Sequence, residues 1–222
     1  MMQMPDFERA WEYENNFYLS CKTARMGKLF AHYELFQMSL DVPGDLVECG
    51  VFKGASLVRF AMMRELFGTP EGKKIVGFDA FGAFPETDFE ADKPFRAAFI
   101  EGSGESGIGV AQLEKVLAHK GIGRNIELVA GDVRQTVPDY VRKHPEMRIS
   151  LLNIDTDVYE PAVTILRELY PRIVPGGILV LDDYGVFPGE TAAVDEFFAG
   201  KDVEIKKFPF HQTPCYVIKR AH

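Results

Sequence analysis

Short apolar runs alternate with helical stretches from residue 45 onward, and this alternation constrains the fold more than any other feature of the chain. The runs are DLVECG (45–50), KIVGFD (74–79), NIELVAG (125–131), RISLLNID (148–155) and GILVLD (177–182). Helical spacing occupies 55–67, 110–119, 134–143, 159–173 and 191–198, with Pro138 interrupting the third of these early. The fourth and fifth runs are almost continuously apolar, as in strands covered on both faces. The pattern predicts an open, mostly parallel α/β sheet with helices on both faces. Stretches 202–207 and 214–219 read as two closing strands, an antiparallel edge hairpin, for seven strands in all. Residues 82–109 lack periodicity and are predicted to form a long loop, a feature that in compact domains is usually functional or mobile.

Residues 1–40 read as helical and aromatic (Phe7, Trp11, Phe17, Tyr18, Phe30, Tyr33, Phe36), and Val42-Pro43-Gly44 breaks the pattern. The organisation expected is a helical lid or dimerisation segment over 1–40 and a single domain over 41–222, with a homodimer or higher homo-oligomer in view.

The 25 basic residues are outnumbered by 33 acidic ones, a net charge of −8. That balance is the wrong sign for a protein that neutralises nucleic-acid phosphates, so no nucleic-acid partner is expected. No apolar run is long enough for a membrane-spanning helix, so no membrane partner is expected. The opening MMQMPDFERAWEYENN lacks the basic and apolar regions of a signal peptide. Cys21, Cys49 and Cys215 form no metal or redox spacing, and a reducing cytoplasm is the expected compartment.

Ligands of open parallel sheets bind beyond the carboxyl ends of the strands. Glu48-Cys49-Gly50, Asp79, Gly131-Asp132, Asp155-Thr156-Asp157 and Asp182-Asp183 stand at those ends. One such acid would pass as a helix cap; five in succession gather acidic groups on one edge of the sheet. The first turn, ECGVFKG, has Gly50 for a close approach of ligand to backbone and Gly54 for a tight turn into the helix. It is not GxGxxG, and its acid disfavours a pyrophosphate on the helix N-terminus. It suits a ligand with a positive amino group, anchored by Glu48. Asp79 can accept from ribose hydroxyls, and Asp132 can frame an adenine. Amine, ribose and adenine together describe S-adenosylmethionine.

Asp155, Asp157, Asp182 and Asp183 form a second constellation, on strands that would lie about 4.8 Å apart if paired. Unrelieved, their carboxylates repel and raise one another's pKa. All-oxygen ligation without His or Cys points to Mg²⁺, with Mn²⁺ or Ca²⁺ as substitutes.

The segments VPGDLVECGVFKGAS (42–56), FDAFGAFP (78–85), LLNIDTDVYEPA (151–162), LYPRIVPGGILVLDDYG (169–185) and AVDEFF (193–198) resemble the macrocin O-methyltransferase family. Its members methylate sugar hydroxyls on macrolides and aminocoumarins. The resemblance implies a Rossmann-like class I methyltransferase fold, S-adenosylmethionine, Mg²⁺ and a sugar-containing small-molecule acceptor. Position by position, it implies Asp155, Asp182 and Asp183 as metal ligands and Asp157 as general base. It implies Glu48 and Gly50 at the methionine end of the cofactor, Asp79 at the ribose, and Gly131 and Asp132 at the adenine. Met26, in an ARMG segment similar to the family's TMIG, joins the cofactor set with Phe52, Ser56, Ala80, Phe81, Val133 and Asp155. Thr191 or its neighbours stand where an arginine is common, the tail HQTPCYVIKR matches poorly, and members are longer at the N-terminus. These departures fall in acceptor-facing regions.

Two other acceptor and function classes stand beside this one. Catechol-type methyltransferases also use Mg²⁺ on a vicinal diol but place a lysine near the metal, and the DTD motif offers none, which favours a sugar. A non-catalytic S-adenosylmethionine-binding protein is the more distant alternative. Loop 82–109 is expected to close over the acceptor, with Phe84, Phe89, Phe95 and Phe99 as packing surfaces. Lys93 and Arg96 could meet an anionic acceptor or simply face solvent. His32, His119, His144, His211 and His222 share no spacing, and no catalytic histidine is expected.

Overall fold

The computed structural model describes residues 2–220; Met1, Ala221 and His222 lie outside the described residues. Its six-stranded sheet has the order β3-β2-β1-β4-β5-β6. The strands are β1 (Asp45–Cys49), β2 (Ile75–Asp79), β3 (Ile126–Ala130), β4 (Ile149–Ile154), β5 (Ile173–Leu181) and β6 (Cys215–Ile218). The first five run parallel, and β6 pairs antiparallel with β5. The chain winds outward from β1 through β2 to β3, then returns to place β4 on the other side of β1. That reversal opens a crevice at the carboxyl ends of β1 and β4, where ligands of such sheets bind.

Both faces are covered, as the apolar runs require. Successive side chains of a strand point to opposite faces. Val47 and Cys49 of β1 join a core beneath α6 (Val133–Lys143), α7 (Tyr159–Leu169) and α8 (Pro188–Phe198). Leu46 joins the opposite core beneath α2 (Thr23–Ser39), α3 (Ala55–Phe67) and α5 (Val110–Lys120). The same alternation sends Glu48 to the α2 and α3 side.

Several sequence expectations need correction. Residues 202–207 form no strand: the only ladder there is one exchanged pair between Lys206 and Tyr216, both at 2.8 Å. Beyond it Phe208 stacks on Tyr216, and Pro209 has no N–H to extend a ladder. The described residues therefore contain six strands rather than seven. The helix expected over 159–173 ends at Leu169, followed by a 3₁₀ turn at Tyr170–Arg172 that contains Pro171. β5 begins earlier than expected, and a Val-Pro-Gly-Gly bulge separates Ile173 and Ile178 in its register with β4. Pro138 does not interrupt α6; the carbonyl it leaves without a donor belongs to Arg134, an exposed residue in the first turn.

The expected loop 82–109 contains a helix, α4 (Lys93–Ser103), with Pro94 in its first turn. Phe95 and Phe99, one helical turn apart, both pack on Phe187, and Phe99 also meets Phe84. The N-terminal segment divides in two. α1 (Ala10–Ser20) buries none of its residues, and Trp11 and Leu19 are 77% and 86% exposed. α2 is part of the core through Ala31, Leu35 and Phe36. Among the described residues no helix is long and apolar enough to cross a membrane.

Candidate active site

The carboxyl ends of β1 and β4 are pressed together. The amide of Asp155 donates to Cys49 O at 2.9 Å. Gly50 has φ +95°, and a Cβ there would stand 1.7 Å from the carbonyl oxygen of Asp155. The space a side chain at Gly50 would need is thus filled by the chain's own backbone, while Gly50 also lines the cavity described below.

Asp79 organises the neighbouring turns. Its Oδ2 accepts from the amides of Val51 and Phe52 at 2.8 and 2.9 Å, and its Oδ1 from Phe81 at 2.6 Å. Phe52 and Phe81 are held in left-handed backbone, φ 46° and 50°, a conformation costly for bulky residues. A cavity of about 320 Å³ opens beside these turns. Of the cofactor residues expected from the sequence, Gly50, Phe52, Asp79, Ala80, Gly131, Asp132, Val133 and Asp155 line it, and so does Asp157. Phe84, Pro85 and Glu86 form part of its wall. Asp132 caps α6 through the amide of Arg134 and forms a forked pair with the Arg134 guanidinium, which holds its carboxyl below the usual range.

Met26, Glu48, Ser56 and Phe81 stand outside that lining. Glu48 is fully buried; its Oε1 accepts from the Ser56 hydroxyl, and burial pushes its pKa up to about 8. Its Oε2 has no hydrogen-bond partner among the described residues.

The second constellation is split. Oxygens of Asp155, Asp157 and Asp183 lie within 4.8 Å of one another. Burial, and after it the neighbouring carboxylates, raises the pKa of all three well above normal. Asp157 is 7% exposed and held at φ 62°. Asp182, expected in the metal set, faces elsewhere: its Oδ2 accepts from Lys28 Nζ, and its Oδ1 is 3.5 Å from His32 Nε2. Neighbouring residues at a strand end point to opposite sides, which is why Asp182 and Asp183 separate. Burial opposes the Asp182 charge, but Lys28 and His32 hold its carboxyl well below the usual range. Burial likewise opposes the Lys28 ammonium, and the carboxylates of Asp155 and Asp182 more than compensate.

Four polar neighbours of the cluster escape a reading of local sequence. Lys28 and His32, one turn apart on α2, reach Asp182 from the N-terminal segment. Their spacing puts both on one face of α2, but nothing local marks Asp182 as their partner. Arg59 of α3 lies 2.9 Å from His32 Nδ1. Glu190 of α8 is fully buried and accepts from the amide of Asp183 at 3.1 Å; no local signal marks it. His119 and His144 lie away from the cluster, His211 packs its ring against Gly27 beside Lys28 at the N-terminal end of α2, and His222 is outside the described residues. In the loop, Lys93 pairs with Glu90, and Arg96 is spent on Pro85 O and Glu86.

The donor set fits a hard cation. Asp182 Oδ1, Asp183 Oδ2 and Glu190 Oε2 are buried oxygens with no hydrogen-bond partner among the described residues. Such atoms are costly unless a proton or a cation satisfies them. Oxygen-only donors select Mg²⁺, Mn²⁺ or Ca²⁺ over zinc.

Comparison with known proteins agrees with this architecture. The family model described as Macrocin-O-methyltransferase (TylF) matches residues 19–213. The 8-demethyl-8-(2,3-dimethoxy-alpha-L-rhamnosyl)-tetracenomycin-C 4'-O-methyltransferase of Streptomyces olivaceus is 27% identical over 147 residues, covering 65% of this chain and 54% of that protein. Against three such curated relatives the matched region spans 54% to 61% of their length. The crystal structure of CalS11, a calicheamicin methyltransferase, superposes with a TM-score of 0.80 at 31% identity, covering 93% of this chain and 84% of that one. A second CalS11 structure, described as that of a TDP-rhamnose 3'-O-methyltransferase, has a TM-score of 0.70 at 28% identity, covering 94% and 86%. With the family model spanning most of its length, and a strand-end site built from the residues that carry the resemblance, the chain belongs to the macrocin O-methyltransferase (TylF) family.

Proposed function

We propose that this chain transfers the methyl group of S-adenosylmethionine to a hydroxyl of a sugar on a small-molecule acceptor, with Mg²⁺ at the aspartate cluster. The observation that carries the reading is the adjacency of two features. The cavity lined by Gly50, Asp79 and Asp132 also includes Asp155 and Asp157, which belong to the oxygen cluster. A methyl donor and a hydroxyl held at the cluster would share that wall.

A sugar hydroxyl is a poor nucleophile at neutral pH. A bound divalent cation supplies Lewis acidity that lowers the hydroxyl pKa. In the reaction an O–CH₃ bond forms, the S–CH₃ bond breaks, S-adenosylhomocysteine leaves, and the hydroxyl proton passes to a carboxylate. Asp157 is our candidate for that acceptor, held in place by its left-handed backbone and by burial. Asp155 and Asp183 are the metal ligands common to the resemblance and to the observed cluster, and Asp182 is the proposed third. Asp79 takes the ribose hydroxyls, and Gly131, Asp132 and Val133 the adenine. The free Oε2 of Glu48 serves the amino end of the cofactor. Loop 82–109 is tied down on α7 and α8 through Asp92 and Glu160, and its Phe84 and Pro85 form a wall toward the methyl donor.

The sugar class rests on the relatives, whose names specify rhamnose and rhamnosyl acceptors. One observation favours a second reading: Lys28 brings to Asp182 the lysine that the DTD motif lacks, so a catechol-type diol is the runner-up acceptor. The exposed aromatic residues of α1 make the N-terminal segment our candidate for a lid or a homodimer contact. The free thiols suit a reducing cytoplasm.

The test is a titration with S-adenosylhomocysteine followed by turnover on nucleotide-linked rhamnose, rhamnosylated aglycones and catechols. The reading requires cofactor binding and transfer to a sugar that chelator abolishes and Mg²⁺ restores. Transfer to catechol alone selects the runner-up. Cofactor binding without turnover on any acceptor points to the non-catalytic alternative.

A further inference from the structure

The acidic cluster already contains one positive charge, delivered by a helix distant in sequence. Lys28 Nζ donates to Asp182 Oδ2 across 154 residues. Asp182 is 3% exposed, and its Oδ1 has no hydrogen-bond partner among the described residues. His32, fully buried one turn further along α2, brings Nε2 to 3.5 Å from that same Oδ1. Arg59 Nη1 lies 2.9 Å from His32 Nδ1. A guanidinium only donates, so Nδ1 accepts and the ring proton sits on Nε2, toward Asp182. One helix face therefore serves Asp182, while Asp155, Asp157 and Asp183 converge on one another. Asp157 and Asp182 are buried and Asp155 and Asp183 half-buried, so charge gathered there calls for cationic compensation, and Lys28 provides one charge of it.

We propose that Lys28 is a tethered counter-cation of the metal site: its ammonium holds Asp182 in the metal-free protein, and a divalent cation must displace it to recruit Asp182 beside Asp155 and Asp183. The inference rests on the metal reading proposed above and adds a linkage to it. Metal affinity is reduced by the lysine that must be expelled, and metal loading frees the Lys28 side chain from Asp182 while the apolar face of α2 stays in the core.

The experiment is a titration of the full chain with Mn²⁺, free ion read by electron paramagnetic resonance, in wild type, Lys28→Met and Lys28→Arg. Methionine keeps the length of the side chain and removes its charge. Lys28→Met is expected to bind Mn²⁺ about tenfold more tightly than wild type, and Lys28→Arg to stay near wild type. A second readout needs no variant: acylation of the Lys28 amine in wild type, followed by mass spectrometry, is expected to rise several-fold when Mn²⁺ is added. Equal or weaker Mn²⁺ affinity in folded Lys28→Met overturns the proposal while leaving the metal site standing. Lys28 labelling that Mn²⁺ binding leaves unchanged does the same, and it decides the matter if Lys28→Met does not fold. Absence of Mn²⁺ binding in both wild type and Lys28→Met overturns the metal reading and this proposal together.

Discussion

Asp92 caps α8 through Gly189, whose amide donates to Oδ1 at 2.7 Å, and a Cβ on that glycine would stand 1.9 Å from Oδ2. The same carboxylate accepts from the amide of Tyr159 at 3.0 Å, so it also caps α7. Glu160, in the first turn of α7, accepts in turn from the amides of Asp88 and Phe89 at 2.8 and 3.1 Å. The segment that follows β2 is thereby fastened to the two helices that follow Asp157 and Asp183. Replacing Asp92 by alanine removes two buried caps and should destabilise the chain by about 2 kcal/mol. Denaturant unfolding measures this, and an unchanged midpoint would refute the capping role.

Gly50→Ala should be among the most damaging single substitutions. It adds a Cβ 1.7 Å from the Asp155 carbonyl at a φ of +95°. Backbone strain and overpacking act together here, and the expected cost is about 3 kcal/mol or more. The melting temperature should fall sharply, and S-adenosylhomocysteine binding should weaken in whatever protein remains folded. A variant with wild-type melting and binding would show that the two strand ends can separate freely.

The roles of Asp157 and Asp183 can be told apart. Asparagine tolerates left-handed backbone, so Asp157→Asn removes the charge without disturbing φ 62°. If Asp157 takes the hydroxyl proton, turnover drops by about 10²–10⁴-fold with Mn²⁺ binding retained. Asp183→Asn should instead lose Mn²⁺ binding itself. Loss of Mn²⁺ binding in Asp157→Asn would reassign Asp157 as a ligand, as its place in the observed cluster allows.

Glu48 should make stability depend on pH. Burial pushes its pKa from 4.5 up to about 8 in the folded chain. Between those values the folded state keeps a proton that the unfolded state has released. The stabilising contribution is complete below the lower value and is lost as pH rises through the upper one. Wild type should therefore lose melting temperature between pH 5 and 8 (approximate bounds of the titration) more steeply than Glu48→Gln, which stays neutral. Parallel curves for the two proteins would mean that Glu48 is ionised in the fold throughout.

The strand-end acids Glu48, Asp79, Asp132, Asp155, Asp157, Asp182 and Asp183 were legible because a local pattern carries them. An apolar run announces a buried strand, and the residue that closes it must stand at the sheet edge. Helix α4 was not legible, since its Phe95 and Phe99 acquire partners only when Phe84 and Phe187 are folded beside them. The missing seventh strand is a similar case, for Val203 and Ile205 pack on the core without their backbone entering a ladder.

By itself the sequence determined the parallel α/β sheet, the edge on which the acids gather and the identity of those acids, because each follows from periodicity over a few neighbouring residues. Only the tertiary structure decided that Asp155 fills the space left by Gly50, that Asp183 faces Asp157 while Asp182 turns to Lys28, and that Asp92 joins two helices. Those are relations between residues dozens to more than a hundred positions apart. They are set by which faces of α2, β4 and β5 pack together, and no local spacing encodes that packing.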